Sequence, residues 1–317
     1  MERGIVGAGE EMNIQVITEE QYMKRLDLTK YEGVDKYSDG SVEDDLLQFV
    51  QQEISIGEIL QKDDRWAVFY HLTPMRRNLL EWYPFAKDAS LLEIGSGCGG
   101  MTGVFLDKID DVQCVELSKR RASIAACRYH NNEHLKIHVG NLNNMDFCDK
   151  FDYVTLIGVL EYAGKFTEGE EPYVSFLKQC KNYLKEHGVL IIAIENQYGL
   201  KYWSGAVEDH TGRLFDSIEG YPKNRGMRTF GKAELKNMLL GLGFQKLEWY
   251  YPLPDYKIPE HVFSDAHLPS PEDVAVASPA YSDERLSFFN ESIAAKGLLQ
   301  NGYFDIFANS FLIFCYL

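Results

Sequence analysis

The chain has 317 residues, of which 45% are hydrophobic and 13% aromatic, and its formal net charge is −16. A chain of this length and composition can bury the core of one large domain or of one domain with additions. The strong negative charge disfavours binding to nucleic-acid phosphates and, less strongly, docking on an anionic membrane.

Residues 1–85 precede the first predicted strand and are interpreted as an N-terminal addition. Within residues 42–62, apolar side chains recur on one helical face. The aromatic-rich segment 66–74 ends in Pro74, which suits the first turn of another helix. We therefore expect an acidic segment and helices here, followed by one domain over residues 86–317.

The most specific pattern lies between residues 90 and 116. Residues 91–94 form a short apolar run, typical of a buried parallel strand. Three glycines follow at once, and they are Gly95, Gly97 and Gly99. After a helical stretch, a second apolar run ends at Glu116. This order predicts the nucleotide-binding half of a Rossmann-like sheet, with the Glu116 carboxylate accepting hydrogen bonds from both ribose hydroxyls.

The glycines do not choose a cofactor, because Gly95, Gly97 and Gly100 also fit the dinucleotide pattern G-x-G-x-x-G. Glu93 is a better discriminator, since a buried carboxylate there would repel a diphosphate and not a cationic ligand. Residues 93–99 read E-I-G-S-G-C-G. They resemble the first motif of the class I methyltransferases that use S-adenosylmethionine (SAM), which carries a sulfonium and an ammonium but no phosphate.

The resemblance implies an α/β fold with a Rossmann-like, seven-stranded, mostly parallel sheet, the last strand antiparallel and helices on both faces. Apolar runs at residues 135–139, 151–157, 189–194 and 311–317 supply further strand candidates. The cofactor-binding residues that it implies are Glu93, Gly95, Ser96, Gly97, Gly99, Glu116, Leu117, Asn141, Leu142 and Ile157. The family usually has an acidic residue at the position of Asn141, where it binds the adenine amine, and an amide oxygen can still accept there.

Residues 196–228 directly follow the predicted fifth strand and lack a strong period. They leave the carboxyl edge of the sheet, where ligands bind in open α/β folds, and so predict a lid. Its aromatic residues could stack on an acceptor or form the lid's own core, and they are Tyr198, Tyr202, Trp203 and Tyr221. Proline-rich residues 252–305 predict a second insertion.

Methyl transfer to a hydroxyl requires alignment of the acceptor and a base that removes its proton. His210 is the first candidate, since its ordinary pKa lies near neutral pH, with Asp209 or Glu208 to orient it. Glu161 is the second candidate base. His71 is the third, although a packed histidine fits its position better. Three consecutive residues, 208–210, rarely converge on one ion, so no metal is expected.

Four segments, residues 70–76, 116–125, 157–163 and 195–202, resemble methyltransferase domains that accompany bacterial glycosyltransferases in surface-polysaccharide biosynthesis. This resemblance implies a glycan hydroxyl as acceptor and an association with glycosyltransferases. The fourth strand continues as G-V-L-E-Y, and not as the Asn/Asp-Pro-Pro-Tyr/Phe of amino-directed DNA methyltransferases. A nucleic-acid acceptor is therefore not expected.

The cysteine pattern and the apolar runs indicate the cellular compartment in which the protein is expected. None of the six cysteines forms a C-x-x-C pair or a zinc-ligand spacing, which favours reduced thiols and a cytoplasmic protein. Residues 1–13 show no signal peptide, and no run reaches the about 18 apolar residues of a membrane span.

Three functions stay open on the sequence alone. The first is a SAM-dependent methyltransferase that acts on a hydroxyl of a small molecule or glycan, by in-line displacement with a general base. The second is an NAD(P)-binding oxidoreductase, which the glycines allow and Glu93 disfavours. The third is a non-catalytic interaction module with the same fold. The sequence specifies neither the acceptor nor the oligomeric state.

Overall fold

The computed structural model describes residues 16–223, 226–274 and 285–317. Its strands are β1 (Leu26–Asp27), β2 (Ser90–Ile94), β3 (Asp111–Glu116), β4 (Leu135–Val139), β5 (Phe151–Ile157), β6 (Leu184–Glu195), β7 (Lys246–Leu253), β8 (His261–Ser264) and β9 (Ser310–Tyr316). They form one sheet in the order β1-β4-β3-β2-β5-β6-β9-β7-β8. The pairs from β1 to β6 are parallel, whereas β9 is antiparallel to both β6 and β7, and β8 is antiparallel to β7.

The mostly parallel sheet with an antiparallel final strand confirms the predicted class, but the predicted number of seven strands is wrong. Nine strands occur in the described residues, and the additional ones are β1 and β8 at opposite edges of the sheet. β1 has two residues and β8 has four, with no fully buried side chain in either. Such short, half-buried edge strands show no alternation that a sequence pattern could reveal.

Twelve α-helices occur in the described residues. They are α1 (Glu19–Met23), α2 (Val42–Gln51), α3 (Ile56–Lys62), α4 (Trp66–Leu72), α5 (Thr102–Leu106), α6 (Lys119–Arg128), α7 (Ala163–Phe166), α8 (Pro172–Asn182), α9 (Leu200–Trp203), α10 (Lys232–Gly241), α11 (Glu291–Gln300) and α12 (Phe304–Phe307). Three 3-10 turns are Pro74–Leu79, Leu142–Asn144 and Leu160–Tyr162. The helical period over residues 42–62 belongs to two helices, because Glu53 has a φ of 50° and the Ser55 side chain caps α3. No described helix is long and apolar enough to cross a membrane.

The core lies on both faces of the central strands. Along β6, Leu190, Ile192 and Ile194 join one apolar cluster, and the alternate residues Val189, Ile191 and Ala193 join the other. Successive side chains of a strand point to opposite faces, so a strand covered on both sides reads as a continuous apolar run. The central strands were predictable from the sequence for this reason.

The N-terminal helices pack beside the glycine loop. A third apolar cluster joins α2, α3 and α4 to Cys98 in the loop and to Ile124 on α6. In addition, β1 pairs with β4 at the edge of the sheet. Part of residues 1–85 therefore lies next to the segment that carries the glycine motif.

Candidate functional site

A cavity of about 540 Å³ opens where four parallel strands end. Residues at and after the ends of β2, β3, β4 and β5 line it, and they are residues 94–98, 115–117, 140–143, 157–159 and 161–163. The carboxyl ends of parallel strands meet at one edge of an α/β sheet, and loops from this edge form ligand sites. On the other sides, the cavity is bounded by α4, by Tyr37 and Asp39, and by residues 209–210 and 256–257.

The structure brings most of the predicted cofactor-binding residues to this cavity. Eight of the ten line it, and they are Gly95, Ser96, Gly97, Glu116, Leu117, Asn141, Leu142 and Ile157. Glu93 and Gly99 do not. Gly99 has a φ of 78°, and a Cβ there would lie 3.0 Å from the Tyr129 ring and 3.1 Å from Ala125 Cβ. It therefore allows α6 to approach the loop.

Glu93 lies beneath the glycine loop and outside the cavity. Its carboxyl accepts hydrogen bonds from Thr102 Oγ1 at 2.6 Å and from Cys114 Sγ at 3.4 Å. Burial raises the pKa of Glu93 to about 7, against the opposing effect of these hydrogen bonds. Glu93 thus connects the glycine strand to its neighbours, and any effect on a ligand is transmitted through the loop.

The Glu116 carboxylate closes β3 and lines the cavity. It accepts hydrogen bonds from the backbone N–H of Gly97 at 2.7 Å and of Ser118 at 2.9 Å. These two donors fix its orientation. A carboxylate has about four lone-pair sites, so acceptor capacity remains for hydroxyl donors of a ligand.

The side chain of Asn141 is largely engaged within the protein. Its Oδ1 accepts from the backbone N–H of Asn143 at 3.0 Å, and its Nδ2 donates to the carbonyl of Phe166 at 3.2 Å. An amide oxygen has a second lone pair. Any contact of Asn141 with a bound base therefore uses that lone pair or the backbone.

Arg76, which is not among the predicted site residues, also lines the cavity. Its guanidinium lies 4.0 Å from the centre of the Tyr70 ring, and a Cβ at Gly100 would lie 2.7 Å from its Nη1. Its Nε is buried and has no hydrogen-bond partner among the residues that the structure describes. Its charge acts on the nearby Glu93 carboxyl, but a buried N–H without a partner is unfavourable, so this group is suited to an anionic ligand group. Arg76 belongs to segment 70–76 of the resemblance given above, but its place at the glycine loop was not predicted, because only folding brings the two together.

The predicted catalytic residues His210 and Glu161 meet at one end of the cavity. His210 Nδ1 lies 3.0 Å from Tyr162 Oη, and Nε2 lies 3.4 Å from Glu195 Oε2 and 4.0 Å from Glu161 Oε1. Glu161 is 1% exposed, and its carboxylate oxygens receive no hydrogen bond from any described residue. Glu195 was missed as a site residue, although it ends β6 at the edge where Glu161 follows β5.

Asp209 points away from His210. It accepts a hydrogen bond from Tyr202 Oη at 2.5 Å and forms ion pairs with Lys201 at 2.8 Å and Lys257 at 3.1 Å. Lys257 also forms an ion pair with Glu195. Asp209 is thus part of a buried ionic network beside the histidine and does not orient its ring.

Glu208 holds the turn that carries His210. Its carboxylate accepts from the backbone N–H of His210 at 2.8 Å and of Thr211 at 2.7 Å, and from Tyr221 Oη at 3.2 Å. Adjacent side chains in a turn point in different directions, and here Glu208 binds backbone while Asp209 binds cations. Of the two orienting candidates, Glu208 is the one that fixes the His210 backbone.

None of the four predicted lid aromatics is among the residues that line the cavity. Tyr202 and Tyr221 are buried and hydrogen-bonded to Asp209 and Glu208, whereas Tyr198 and Trp203 are partly exposed. Tyr202 and Tyr221 therefore form the core of the segment, which is one of the two alternatives that the sequence left open.

Burial and charge separate the protonation states of the three central groups. Burial and then the charge of Glu195 raise the pKa of Glu161 to about 8. Burial opposes ionisation of Glu195 as well, but Lys257 and then His210 hold its pKa well below the usual range. Burial lowers the pKa of His210, but the charge and hydrogen bond of Glu195, followed by Glu161 and Glu208, outweigh it and raise the pKa to about 9.

We expect His210 to remain protonated at pH 7 and to titrate near pH 9, as measured by ¹⁵N NMR of the imidazole. His71 is an internal contrast, because burial lowers its pKa to about 4 despite its hydrogen bond to Asp39. Since the pKa of His210 is raised above its ordinary 6.5, its protonation stabilises the fold below about pH 6.5, and that contribution is lost as pH rises through about 9. A His210 signal that titrates near 6.5 would contradict this electrostatic description.

Glu161, Glu195 and His210 also have donor atoms within 4.8 Å of one another, and they are the only such group in the described part of the chain. Lys257 already pairs with Glu195, and an imidazolium has no lone pair for an ion. With His210 protonated, this arrangement suits a proton and a polar acceptor better than a second cation.

Comparison with known proteins agrees with the site's position. Residues 92–192 match the methyltransferase-domain family. No curated protein sequence matches the chain significantly. Solved structures that resemble it include a SAM-dependent methyltransferase of Thermotoga maritima, at 17% identity and a TM-score of 0.44, covering 82% of this chain and 96% of that one.

Two further matches are phosphoethanolamine N-methyltransferases 1 and 2 of Haemonchus contortus. The identities are 10% and 15%, the TM-scores are 0.48 and 0.46, and the matches cover 89% and 83% of this chain and 50% and 60% of those chains. At such values they give no indication of the acceptor.

The match to the methyltransferase domain runs from β2 to β6. It therefore contains the glycine loop, Glu116 and the 3-10 turn of Glu161, and it includes most of the residues that line the cavity. The protein is an S-adenosylmethionine-dependent methyltransferase, with S-adenosylmethionine as its cofactor.

Proposed function

We propose that the protein methylates a hydroxyl group of a small molecule or glycan, and that Glu161 accepts the hydroxyl proton. The observation that carries the proposal is the Glu161 carboxylate, which is buried, lines the cavity and receives no hydrogen bond from a described residue. A group with a pKa of about 8 is suited to general base catalysis near neutral pH.

The residues of the cavity fit SAM. Glu116 would accept from the ribose hydroxyls, the loop of Gly95 to Gly97 would lie along the methionine part, and Arg76 would bind the methionine carboxylate. Leu117, Asn141, Leu142 and Ile157 would surround the adenine. When bound there, SAM supplies an electrophilic methyl group.

The charges beside Glu161 favour a hydroxyl over an amine. A protonated His210 and Lys257 would repel an ammonium group, whereas both stabilise negative charge that develops on an oxygen. In this mechanism, Glu161 takes the proton of the acceptor hydroxyl, and the positive charge of the His210 imidazolium stabilises the negative charge that develops on the acceptor oxygen. Sequence analysis gave the base role to His210 first, and the raised pKa of its imidazole moves our proposal to Glu161.

A glycan acceptor and an association with glycosyltransferases rest on the sequence resemblance of the four segments given above. A cytoplasmic location rests on the cysteines, none of which forms a disulfide in the described residues. The division at residue 85 is likewise a proposal.

A panel of acceptors tests the hydroxyl assignment. The protein is incubated with SAM that carries a tritium-labelled methyl group and with one of two classes of acceptor. The hydroxyl compounds are methyl hexosides, deoxyhexosides, catechols and phenols, and the amines are primary and secondary amines. We expect label in an alkali-stable ether of a hydroxyl compound, and turnover that increases as pH rises through about 8 because Glu161 must be ionised. Label only in amines would contradict the proposal.

We also propose that residues 196–228 close over the cavity as a lid, of which residues 224 and 225 lie outside the described part. Because Glu208 binds two backbone amides, we expect slow hydrogen exchange at His210 and Thr211 even in the free protein. The rest of the segment should gain protection when S-adenosylhomocysteine (SAH) and an acceptor from the panel are both bound. Equal protection in both states would mean that the segment is structural packing.

A further inference from the structure

We infer that the N-terminal strap, defined as residues 35–41, is part of the methyl-transfer site, with Tyr37 acting through Tyr162 to position His210. The inference rests on the proposed role of the His210 imidazolium as the positive charge beside the acceptor oxygen. Tyr37 and Tyr162 are positioning residues in this account. The strap lies outside residues 92–192, the segment that matches the methyltransferase domain.

One end of the strap is fixed to the helix that follows Glu116. Asp35 accepts hydrogen bonds from the backbone N–H of Lys119 at 2.7 Å and of Arg120 at 3.2 Å, and from Ser118 Oγ at 3.0 Å. These donors are amides of the first turn of α6, which have no partner within the helix, and the hydroxyl of the residue that caps it. The strap is thereby held close to the carboxylate predicted to bind the ribose.

The other end is fixed through Asp39 and Glu43. Asp39 Oδ2 lies 2.8 Å from His71 Nε2 and 3.2 Å from Arg121 Nη2. The fully buried Glu43 accepts from the backbone N–H of Asp39 and from Ser38 Oγ, each at 2.8 Å. His71, the third candidate base, therefore has a partner within the strap, and its lowered pKa keeps it neutral.

Between these anchors, Tyr37 lines the cavity and contacts Tyr162. The two rings meet edge to face with centroids 5.6 Å apart, and the two side chains share a hydrogen bond. Arg121 lies 4.8 Å from the centre of the Tyr37 ring, on the side of the strap that Asp39 holds. Tyr37 is consequently supported on two sides.

Tyr162 connects Tyr37 to His210. Its hydroxyl oxygen lies 3.0 Å from His210 Nδ1, and the rings meet edge to face at 5.1 Å. An imidazolium has two N–H donors, so Nδ1–H donates to Tyr162 while Nε2–H faces Glu161 and Glu195. Without the Tyr162 hydroxyl, the Nδ1 side of the ring would lose the hydrogen bond that fixes its rotation.

The test compares Tyr162→Phe and Tyr37→Phe with Tyr70→Phe. Tyr70 lines the same cavity and stacks on Arg76, but it makes no contact with His210 among the described residues, so Tyr70→Phe is the matched control. The readout is the ¹⁵N titration of His210 in the full-length protein, alone and with SAH. The charged groups that face His210 are unchanged in every variant, and they are Glu161, Glu195, Glu208, Asp209 and Lys257.

We expect Tyr162→Phe to lower the pKa of His210 by about one unit or more, because an acceptor for the charged imidazolium is lost. Tyr37→Phe should shift it in the same direction by less, since it removes only the support of Tyr162, and Tyr70→Phe should not shift it. A His210 titration equal to wild type in Tyr37→Phe would overturn the inference, even if Tyr162→Phe shifts it, and so would an equal shift in Tyr70→Phe.

Circular dichroism and SAH affinity verify that each variant is folded. If Tyr162→Phe does not fold, the Tyr37→Phe titration decides alone. Tyr37 contacts Tyr162, which in turn contacts His210, so this change lies one contact further from the histidine. This experiment uses no acceptor. An amine acceptor in the panel would therefore refute the proposed function without altering the result for the strap.

Discussion

The Glu161→Gln variant should lose about 10²–10⁴-fold in turnover with a hydroxyl acceptor, because general base catalysis contributes about that much. Glutamine keeps the size of the side chain and removes the proton acceptor. SAH affinity should stay close to wild type, since Glu161 is assigned to the acceptor and not to the cofactor. The measurement is the rate of tritium-labelled methyl transfer at saturating SAM, together with a calorimetric titration of SAH.

His210→Ala is the paired variant. It should also reduce turnover, because it removes the positive charge proposed to stabilise the acceptor oxygen, but the base would remain. Turnover of His210→Ala should therefore still increase with pH as Glu161 ionises, whereas the residual turnover of Glu161→Gln should lose that dependence. If turnover survives Glu161→Gln and disappears in His210→Ala, the base is His210. If both variants stay active, the reaction relies on alignment alone.

The parts of the site that are local in sequence were predictable. The glycine loop and Glu116 belong to one strand-loop-helix-strand unit, and Glu161 and His210 follow strands whose carboxyl ends must share an edge. The positions of Asp209 and Glu208 were not predictable, because the path of a turn decides which of two adjacent carboxylates faces the histidine.

Contacts between distant segments account for the other differences. Arg76 reaches the glycine loop, and Asp39 reaches Arg121, only when the N-terminal helices pack against α6. Glu93 lies within the local motif, so its position was predictable. Its protonation was not, because burial raises its pKa to about 7. The strand pattern predicted that Glu93 is buried, but it does not reveal the balance of burial, hydrogen bonds and neighbouring charges that sets the pKa.

The second large effect concerns the two ends of the cofactor. Glu116→Ala should weaken SAH binding by about 1.5–3 kcal/mol for each lost charge-assisted hydrogen bond. It should weaken methylthioadenosine binding equally, because that compound has the same ribose. Arg76→Met should weaken only SAH binding, by about 1.5–3 kcal/mol, because methylthioadenosine has no carboxylate.

Arg77→Met is the matched control for Arg76→Met. Arg77 is the next residue in the chain, pairs with Glu81 and Asp107 at the surface and is not among the residues that line the cavity. The SAH affinity of the Arg77→Met variant should equal that of the wild-type protein. Equal losses for SAH and methylthioadenosine in Arg76→Met would show that Arg76 supports the fold of the loop and does not bind the carboxylate.

The most direct test of the central claim is calorimetric titration of the wild-type protein with SAH and, separately, with NADH. The glycine loop, Glu116 and Arg76 should bind SAH at one site per chain, and NADH should produce no binding heat. Binding of NADH without binding of SAH would contradict the account, because the same glycines would then hold a diphosphate.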